Sequence, residues 1–289
     1  MPKYKNKNGR NIAIFTNQQC KIKNEYIKFP KCNYRIKTSI KEGLQQVRII
    51  PRGDIYVIEI VYKKEINSQM KELKNICSID LGLNNLITLI NNIGLKPIVV
   101  NGKPIKSMNQ YYNKRKAKLM SYIGDKGISN RIKKLTIKRN NKIKDYIHKS
   151  TRLIINYCIK NNVETLVIGK NKNWKQEVEM GKKNNQNFVN IPYDMLIKQL
   201  EYKCEENGIK VILTEESYTS GTSFLDNEEP IRDNYNKSRR KYRGLFISNN
   251  GTQINADVNG AYQIMKKVFP NVFANGIEGV GLHPIVVNI

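Results

Sequence analysis

The sequence Ile76-Cys77-Ser78-Ile79-Asp80-Leu81-Gly82 places an aspartate inside an apolar run and a glycine directly after it. If that run is a buried strand, the carboxylate needs a compensating partner, because a lone buried charge is costly. A metal ion is the simplest one, and a structural aspartate capping the turn is the alternative. A second aspartate stands far downstream in Asn255-Ala256-Asp257-Val258-Asn259-Gly260-Ala261, at the mouth of a helix whose small residues permit close approach to a sheet. Helix capping accounts for Asp257 on its own. Only together with Asp80 does it become a candidate metal ligand. Carboxylates that converge on one point bind Mg²⁺ ions about 3.5–4 Å apart, an arrangement that activates water and stabilises the leaving oxygen in phosphodiester cleavage.

The elements that must position these residues fall into two textures. Residues 11–64 read as short strands between polar breaks, with period-2 alternation in Ile55–Tyr62 that puts Tyr56, Ile58, Ile60 and Tyr62 on one face. This predicts a small antiparallel β module over residues 1–70. From residue 71 to 289, five short apolar runs alternate with helical stretches: ICSIDLG, LITLI, IVV, LVIG and KVILTE. Helices are expected around 106–161, 192–207 and 257–268, the last ended by Pro270. Three strands, a long helical section and then strand, helix, strand predict an α/β layer with a mixed sheet.

The charge distribution points to a polyanion. The chain of 289 residues carries 51 Lys plus Arg against 24 Asp plus Glu, a formal +27, while 39% hydrophobic residues suffice for a core. Residues 1–64 contribute +11, and residues 105–160, within a basic helical section at 105–161, contribute +14. The apolar residues of that section, Ile132, Leu135, Ile143 and Ile147, recur at helical spacing, so its polar face is almost wholly cationic and suited to a phosphate backbone. Five widely spaced cysteines without a CxxC pair argue against a disulfide framework and a zinc site, and His148 and His283 read as surface residues. With no apolar span and no signal peptide, a soluble, cytoplasmic protein without a membrane partner is expected.

Taken together, IDLGLNNLIT and ADVNGAYQIMKKV resemble the first and third RuvC motifs of the TnpB (OrfB) family, the transposon-encoded RNA-guided nucleases related to miniature type V CRISPR effectors. LEYKCEENGIKVILTEESYTS resembles the stretch of that family that runs into its "YTS" element, here Tyr218-Thr219-Ser220. The resemblance covers roughly residues 11–270, the β module being similar to the family's wedge domain. It implies an RNase H-like (RuvC) mixed sheet with flanking helices, a guide RNA, a target DNA and Mg²⁺-dependent DNA cleavage by three acidic ligands. Asp80 and Asp257 match the first and third of these. The family's middle Glu, at the end of the fourth strand, is replaced by Gly169 in Thr165-Leu166-Val167-Ile168-Gly169.

Two consequences are open. The middle carboxylate is supplied by the neighbouring fifth strand, where Glu215 is preferred over Glu216, or the protein is a nuclease-dead RNA-guided DNA binder, a repressor or decayed transposon product. Only 79 residues precede Asp80, short for the family, which fits the second case. Glu164 begins the fourth strand at its far end, and Glu177 and Glu179 are outsiders. The zinc ribbon that the family carries before its third motif is also missing: residues 221–255 hold no Cys but carry Arg232, Lys237, Arg239, Arg240, Lys241 and Arg243, interleaved with Tyr235 and Tyr242. That pattern suits a metal-free, nucleic-acid-contacting insertion or a disordered one. Trp174 reads as a base-stacking residue or a loop anchor, and the Tyr111-Tyr112 pair as helix packing. An Asp-Leu-Gly opening also occurs in actin-like ATPases and sugar kinases, but the second phosphate-binding turn those folds need is absent here.

Overall fold

The computed structural model describes residues 9–53, 55–66, 74–124, 127–170, 191–242, 244–273 and 276–289. Trp174, Glu177, Glu179 and Arg243 lie outside the described residues. The chain divides into two compact units, residues 1–66 with 123–135, and residues 67–122 with 136–289. The middle of the basic helical section thus belongs with the β module.

The first unit contains β1 (Ala13–Thr16), β2 (Lys21–Lys23), β3 (Tyr26–Lys28), β4 (Arg35–Lys37), β5 (Leu44–Arg52) and β6 (Ile55–Tyr62). They form two antiparallel three-stranded sheets, ordered β1-β5-β6 and β2-β3-β4. The alternation in β6 has the expected effect at its centre. Ile58 pairs with Ile49, Ile60 pairs with Val47, and both isoleucines pack on a core of Cys20, Ile27, Phe29 and Val47. Tyr56 and Tyr62, at the two ends, stay exposed.

The second unit is built on β7 (Ile76–Leu81), β8 (Asn85–Asn91), β9 (Ile98–Asn101), β10 (Thr165–Gly169) and β11 (Lys210–Thr214). With β15 (Ile285–Val287) these form one six-stranded sheet ordered β11-β10-β7-β8-β9-β15. The β7-β8-β9 segment is antiparallel, while β10 lies parallel to both β7 and β11. The helices are α1 (Lys103–Ile123), α2 (Asn130–Lys160), α3 (Tyr193–Glu205) and α4 (Ala256–Val268). On one face of the sheet, Cys77, Ile79, Leu81, Leu166 and Ile168 share a core with Ile147, Ile154, Leu196 and Leu200 of α2 and α3. On the other, Ile76, Ile90 and Val167 pack against Val258, Ala261, Ile264 and Met265 of α4. Alternation along each strand decides which face a residue serves.

The Cys-free stretch at 221–255 is folded. It holds β12 (Arg240–Tyr242), β13 (Leu245–Ile247) and β14 (Gln253–Asn255), an antiparallel sheet ordered β12-β13-β14. Disorder, one of the two expectations for this stretch, does not apply to its described residues. Phe246 is fully buried, and Phe224 stacks on Tyr262 of α4 with ring centroids 4.5 Å apart. Where a zinc ribbon would use a metal, a half-buried ion pair ties the loop: Arg239 lies 2.7 Å from Glu228 and 3.8 Å from Asp226. The other carboxylate oxygen of Glu228 accepts from the Ser223 amide at 2.8 Å. Among the described residues all five cysteines are free, and no helix is long and apolar enough to cross a membrane.

Candidate active site

In β7, residues 77, 79 and 81 serve the α2–α3 core, so Ser78 and Asp80 point to the face covered by α4. Ser78, fully buried, donates its hydroxyl to the carbonyl of Ala261 and so fixes α4 against the strand. One residue closer to the start of α4, Gly260 makes room for Asp80. A Cβ on residue 260 would lie 3.0 Å from Asp80 Oδ2.

Asp257 does not cap its helix. Asn255 does so instead, its Oδ1 accepting from the amides of Asp257 and Val258 at 3.0 and 3.1 Å. The Asp257 carboxylate is thereby left to face the cleft from the first turn, where the helix dipole favours negative charge. Asn85 Nδ2 donates to one of its oxygens at 2.7 Å and the Arg240 guanidinium to the other at 2.8 Å. Arg240 reaches it from β12, so the folded ribbon closes one side of the site.

The same alternation places the third carboxylate. In β11, Val211 packs on the α2–α3 core and Ile212 on the α4 core, so even-numbered positions face α4. Glu216 continues that parity beyond the strand end, and Glu215 does not. Glu216 lines the cleft, whereas Glu215 is exposed and accepts the Ser217 hydroxyl at 2.8 Å. Of the two alternatives, then, the structure brings Glu216 beside the aspartates and leaves Glu215, the preferred expectation, outside. Lys267 of α4 holds the turn in place through the carbonyls of Glu215 and Ser217, at 3.1 and 2.6 Å.

Gly169 explains why a carboxylate from β11 can enter here. It pairs with Thr214, and its α-carbon faces α4. A Cβ at 169 would lie 2.6 Å from Ile264 Cδ1 and 2.9 Å from Glu216 Oε2. The Glu216 carboxylate therefore fills the space into which a side chain at 169 would project. Glu164, at the opposite end of β10, accepts from the amides of Lys74 and Asn75, as its position at the strand start foretells.

The resulting cleft, about 910 Å³, is lined by Asp80, Glu216 and Asp257 together with Asn85, Tyr218 and Arg240. Burial first, then the charges of Glu216 and Asp257, push the Asp80 acid well above the ordinary carboxylate range, against the opposing pull of Arg240. Tyr193, at the start of α3, donates its hydroxyl to the Gly82 carbonyl at 2.9 Å. Burial and then the nearby charges of Asp80 and Glu216 push its phenol pKa well above the ordinary tyrosine value. On the rim, Tyr218 of the Tyr218-Thr219-Ser220 element has a left-handed backbone, φ 66°, an uncommon conformation for a non-glycine residue. Its ring meets Tyr235 edge-on at 5.9 Å.

The three carboxylates share one cleft without forming a finished cage. Among the described residues, no three His, Cys, Asp or Glu side chains are grouped closely enough to hold a metal as they stand. The donor set is nonetheless all oxygen, and the mutual repulsion that raises Asp80 is what a divalent cation relieves. Arg240 now supplies part of that counter-charge. Sequence reasoning missed Asn85, Tyr193 and Arg240 as members of the site. Arg240 stood out only as one cation in a basic stretch, and Tyr193 carried no local signal beyond the preceding Pro192. The Tyr111-Tyr112 expectation divides: Tyr112 bonds Thr136 across the helix pair, while Tyr111 is exposed. His148, expected on the surface, is half-buried.

Comparison with known proteins follows this geometry. Residues 59–175 match the OrfB_IS605 family model, described as a probable transposase, and residues 193–264 match the Cas12f1-like TNB domain. A curated relative, the CRISPR-associated endodeoxyribonuclease Cas12f2 of a Micrarchaeota archaeon, is 27% identical over 236 residues. The match covers 75% of this chain but 41% of the relative, so the chain spans about two-fifths of that protein's length. Among solved structures, a Cas12f1-sgRNA-target DNA complex aligns with a TM-score of 0.53 at 17% identity, over 89% of this chain and 67% of that one. A CRISPR-Cas12f ternary complex aligns with a TM-score of 0.52 at 17% identity, over 76% and 45% of the two chains. These likenesses establish the mixed α/β fold of the Cas12f effectors. The first family match carries Asp80 and the second carries Glu216 and Asp257, so on both segments that build the cleft the chain is similar to TnpB (OrfB)-like proteins and to the Cas12f effectors.

Proposed function

We propose that this chain is an RNA-guided DNA endonuclease of transposon origin, in which Asp80, Glu216 and Asp257 hold Mg²⁺ for phosphodiester hydrolysis. The observation that carries the reading is the Glu216 carboxylate in the space vacated at Gly169, on the same face of the sheet as Asp80. It supports a carboxylate from the end of β11 in place of the middle Glu. The relatives whose names specify an endodeoxyribonuclease and a complex with sgRNA and target DNA support the activity and the partners.

When bound, Mg²⁺ would supply a nucleophilic water and stabilise the leaving oxygen. The chain's own residues do the positioning. Asn85 orients Asp257, Ser78 and Gly260 hold α4 close enough for Asp80 and Asp257 to share one cleft, and Lys267 fixes the turn bearing Glu216. Arg240 lines the cleft on Asp257, so it can exchange that carboxylate for a phosphate oxygen as the substrate enters. The formal charge of +27 provides the attraction for both nucleic acids.

The test is to co-express the chain with a programmable guide RNA, purify the complex, and incubate it with matched and unmatched duplex DNA. Guide-dependent cutting in Mg²⁺, absent in EDTA and absent in Asp80→Ala, is expected. Tight guide-dependent binding without any cutting would instead establish the nuclease-dead reading.

A further inference from the structure

Between the middle of α2 and the end of α3 lies a second recess, about 590 Å³, that contains none of the cleft carboxylates. It lies roughly 15 Å along α3 from Tyr193, at the rise of 1.5 Å per residue. Its floor holds Lys203, which is 3% exposed. The ammonium donates to Thr151 Oγ1 at 2.6 Å and to the His148 carbonyl at 3.2 Å. Both acceptors are neutral. The Glu206 carboxylate acts on Lys203 through its charge, opposed by the neighbouring guanidinium of Arg152. The ammonium has three donors, and the two hydrogen bonds described here end on neutral oxygens rather than on an anion.

The rest of the wall is suited to a nucleobase. Tyr202 is 42% exposed, with the Lys203 ammonium 6.0 Å from its ring centroid, and Leu153 adds an apolar surface. Asn156 offers an amide with both donor and acceptor at the same recess. An exposed aromatic ring flanked by cations is how proteins hold unpaired nucleotides: the base stacks and the phosphate pairs.

We propose that this recess is a docking subsite for one unstacked nucleotide of a single strand, its base on Tyr202 and its phosphodiester on Lys203 and Arg152. The subsite deepens the nucleic-acid reading of the chain but does not depend on cleavage. RNA and DNA single strands share this chemistry, and the experiment separates them.

The full chain, freed of RNA, is photo-crosslinked to short single strands carrying 5-iodouridine or 5-iododeoxyuridine, and the adducts are mapped by mass spectrometry. An adduct at Tyr202 is expected, lost in Tyr202→Ala. For tetranucleotide binding, Tyr202→Ala is expected to lose roughly five- to a hundredfold in affinity and Tyr202→Phe to stay near wild type. Arg152→Gln should reduce the salt slope by about one. An adduct with only one of the two strands assigns the site to that strand. Adducts confined to other regions, with Tyr202→Ala binding unchanged, would overturn the proposal, as would Tyr202→Phe binding as weakly as Tyr202→Ala. Crosslinking at Tyr202 by a protein that never cuts guided DNA defeats the nuclease reading alone. Guided cutting without that adduct defeats the subsite alone.

Discussion

Gly169→Ala is a one-atom probe of the proposed relocation. The added Cβ meets Ile264 Cδ1 at 2.6 Å and Glu216 Oε2 at 2.9 Å, both closer than such atoms approach in real proteins, so something must move. Overpacking of this kind costs about 1–3 kcal/mol. Ile264→Val deletes the nearer atom and alone costs about 0.5–1.5 kcal/mol. In the double variant the Cδ1 collision disappears, while the contact with Ile264 Cγ1 at 3.2 Å and the one with Glu216 remain, so recovery is partial. A coupling of about 1 kcal/mol is therefore expected, in the sense that the pair is more stable than the sum of the singles. Urea unfolding followed by circular dichroism measures it, with the m-value serving as a check that the denatured state is unchanged. Gly169→Glu, which places a carboxylate where the family has one, should be worse than Gly169→Ala, because it adds a second negative group beside Glu216. If Gly169→Ala matches wild type in stability, or the two substitutions prove additive, then Glu216 and Ile264 do not fill that space and the relocation argument fails.

The site and the ribbon also set the outcome of substitutions at Asp80, Arg240 and Arg239. Asp80→Asn should stabilise the Mg²⁺-free protein by roughly 0.5–2 kcal/mol, because it removes a charge held against its neighbours. The sign is set by the raised pKa of Asp80: the folded state binds its proton more tightly than the unfolded state, so this group penalises folding as pH rises above the ordinary carboxylate range. Mg²⁺ at ten times its dissociation constant should stabilise wild type by roughly 1.4 kcal/mol and leave Asp80→Asn unmoved, as read by thermal melting. Arg240→Gln should bind divalent cations several-fold more tightly in a metal titration, since Asp257 no longer has a resident cation to give up, while stability falls by at most about 1 kcal/mol for this partly exposed pair. Arg239→Ala leaves Glu228 and Asp226 without their cation and should cost about 3 kcal/mol, whereas EDTA in Mg²⁺-free buffer should not change the melting temperature, because a Cys-free ribbon has no zinc to lose.

The strands that carry the site were legible because parallel and central strands are apolar on both faces: ICSIDL, TLVIG and KVILT announce themselves. Asp80 was equally legible as the one acid among them. Choosing between Glu215 and Glu216 required applying the period-2 rule past the strand end, from Val211 and Ile212, to see that only the even position faces α4. The ribbon was less legible, since its three-residue strands are set by contacts distant in sequence. Phe224 needs Tyr262, Arg239 needs Glu228, and Asn259 holds both the Phe224 amide and the Thr222 carbonyl. The capping role of Asn255 was hidden for a different reason. Asn and Asp are near-equal caps, and two stand two residues apart. At the C-terminus, β15 is a run of three apolar residues whose partner, β9, lies nearly two hundred residues earlier, so no local pattern marks it as part of the sheet.

The central claim is that Glu216, and not its neighbour, completes the carboxylate site. Single-turnover cleavage of guide-matched DNA in Mg²⁺ by Glu216→Gln and Glu215→Gln tests it directly. The account predicts a loss of roughly a hundredfold or more for Glu216→Gln, the scale on which removal of a transition-state-stabilising group is felt, and near-wild-type cutting for Glu215→Gln. Full activity in Glu216→Gln, or the loss falling on Glu215→Gln, would contradict it.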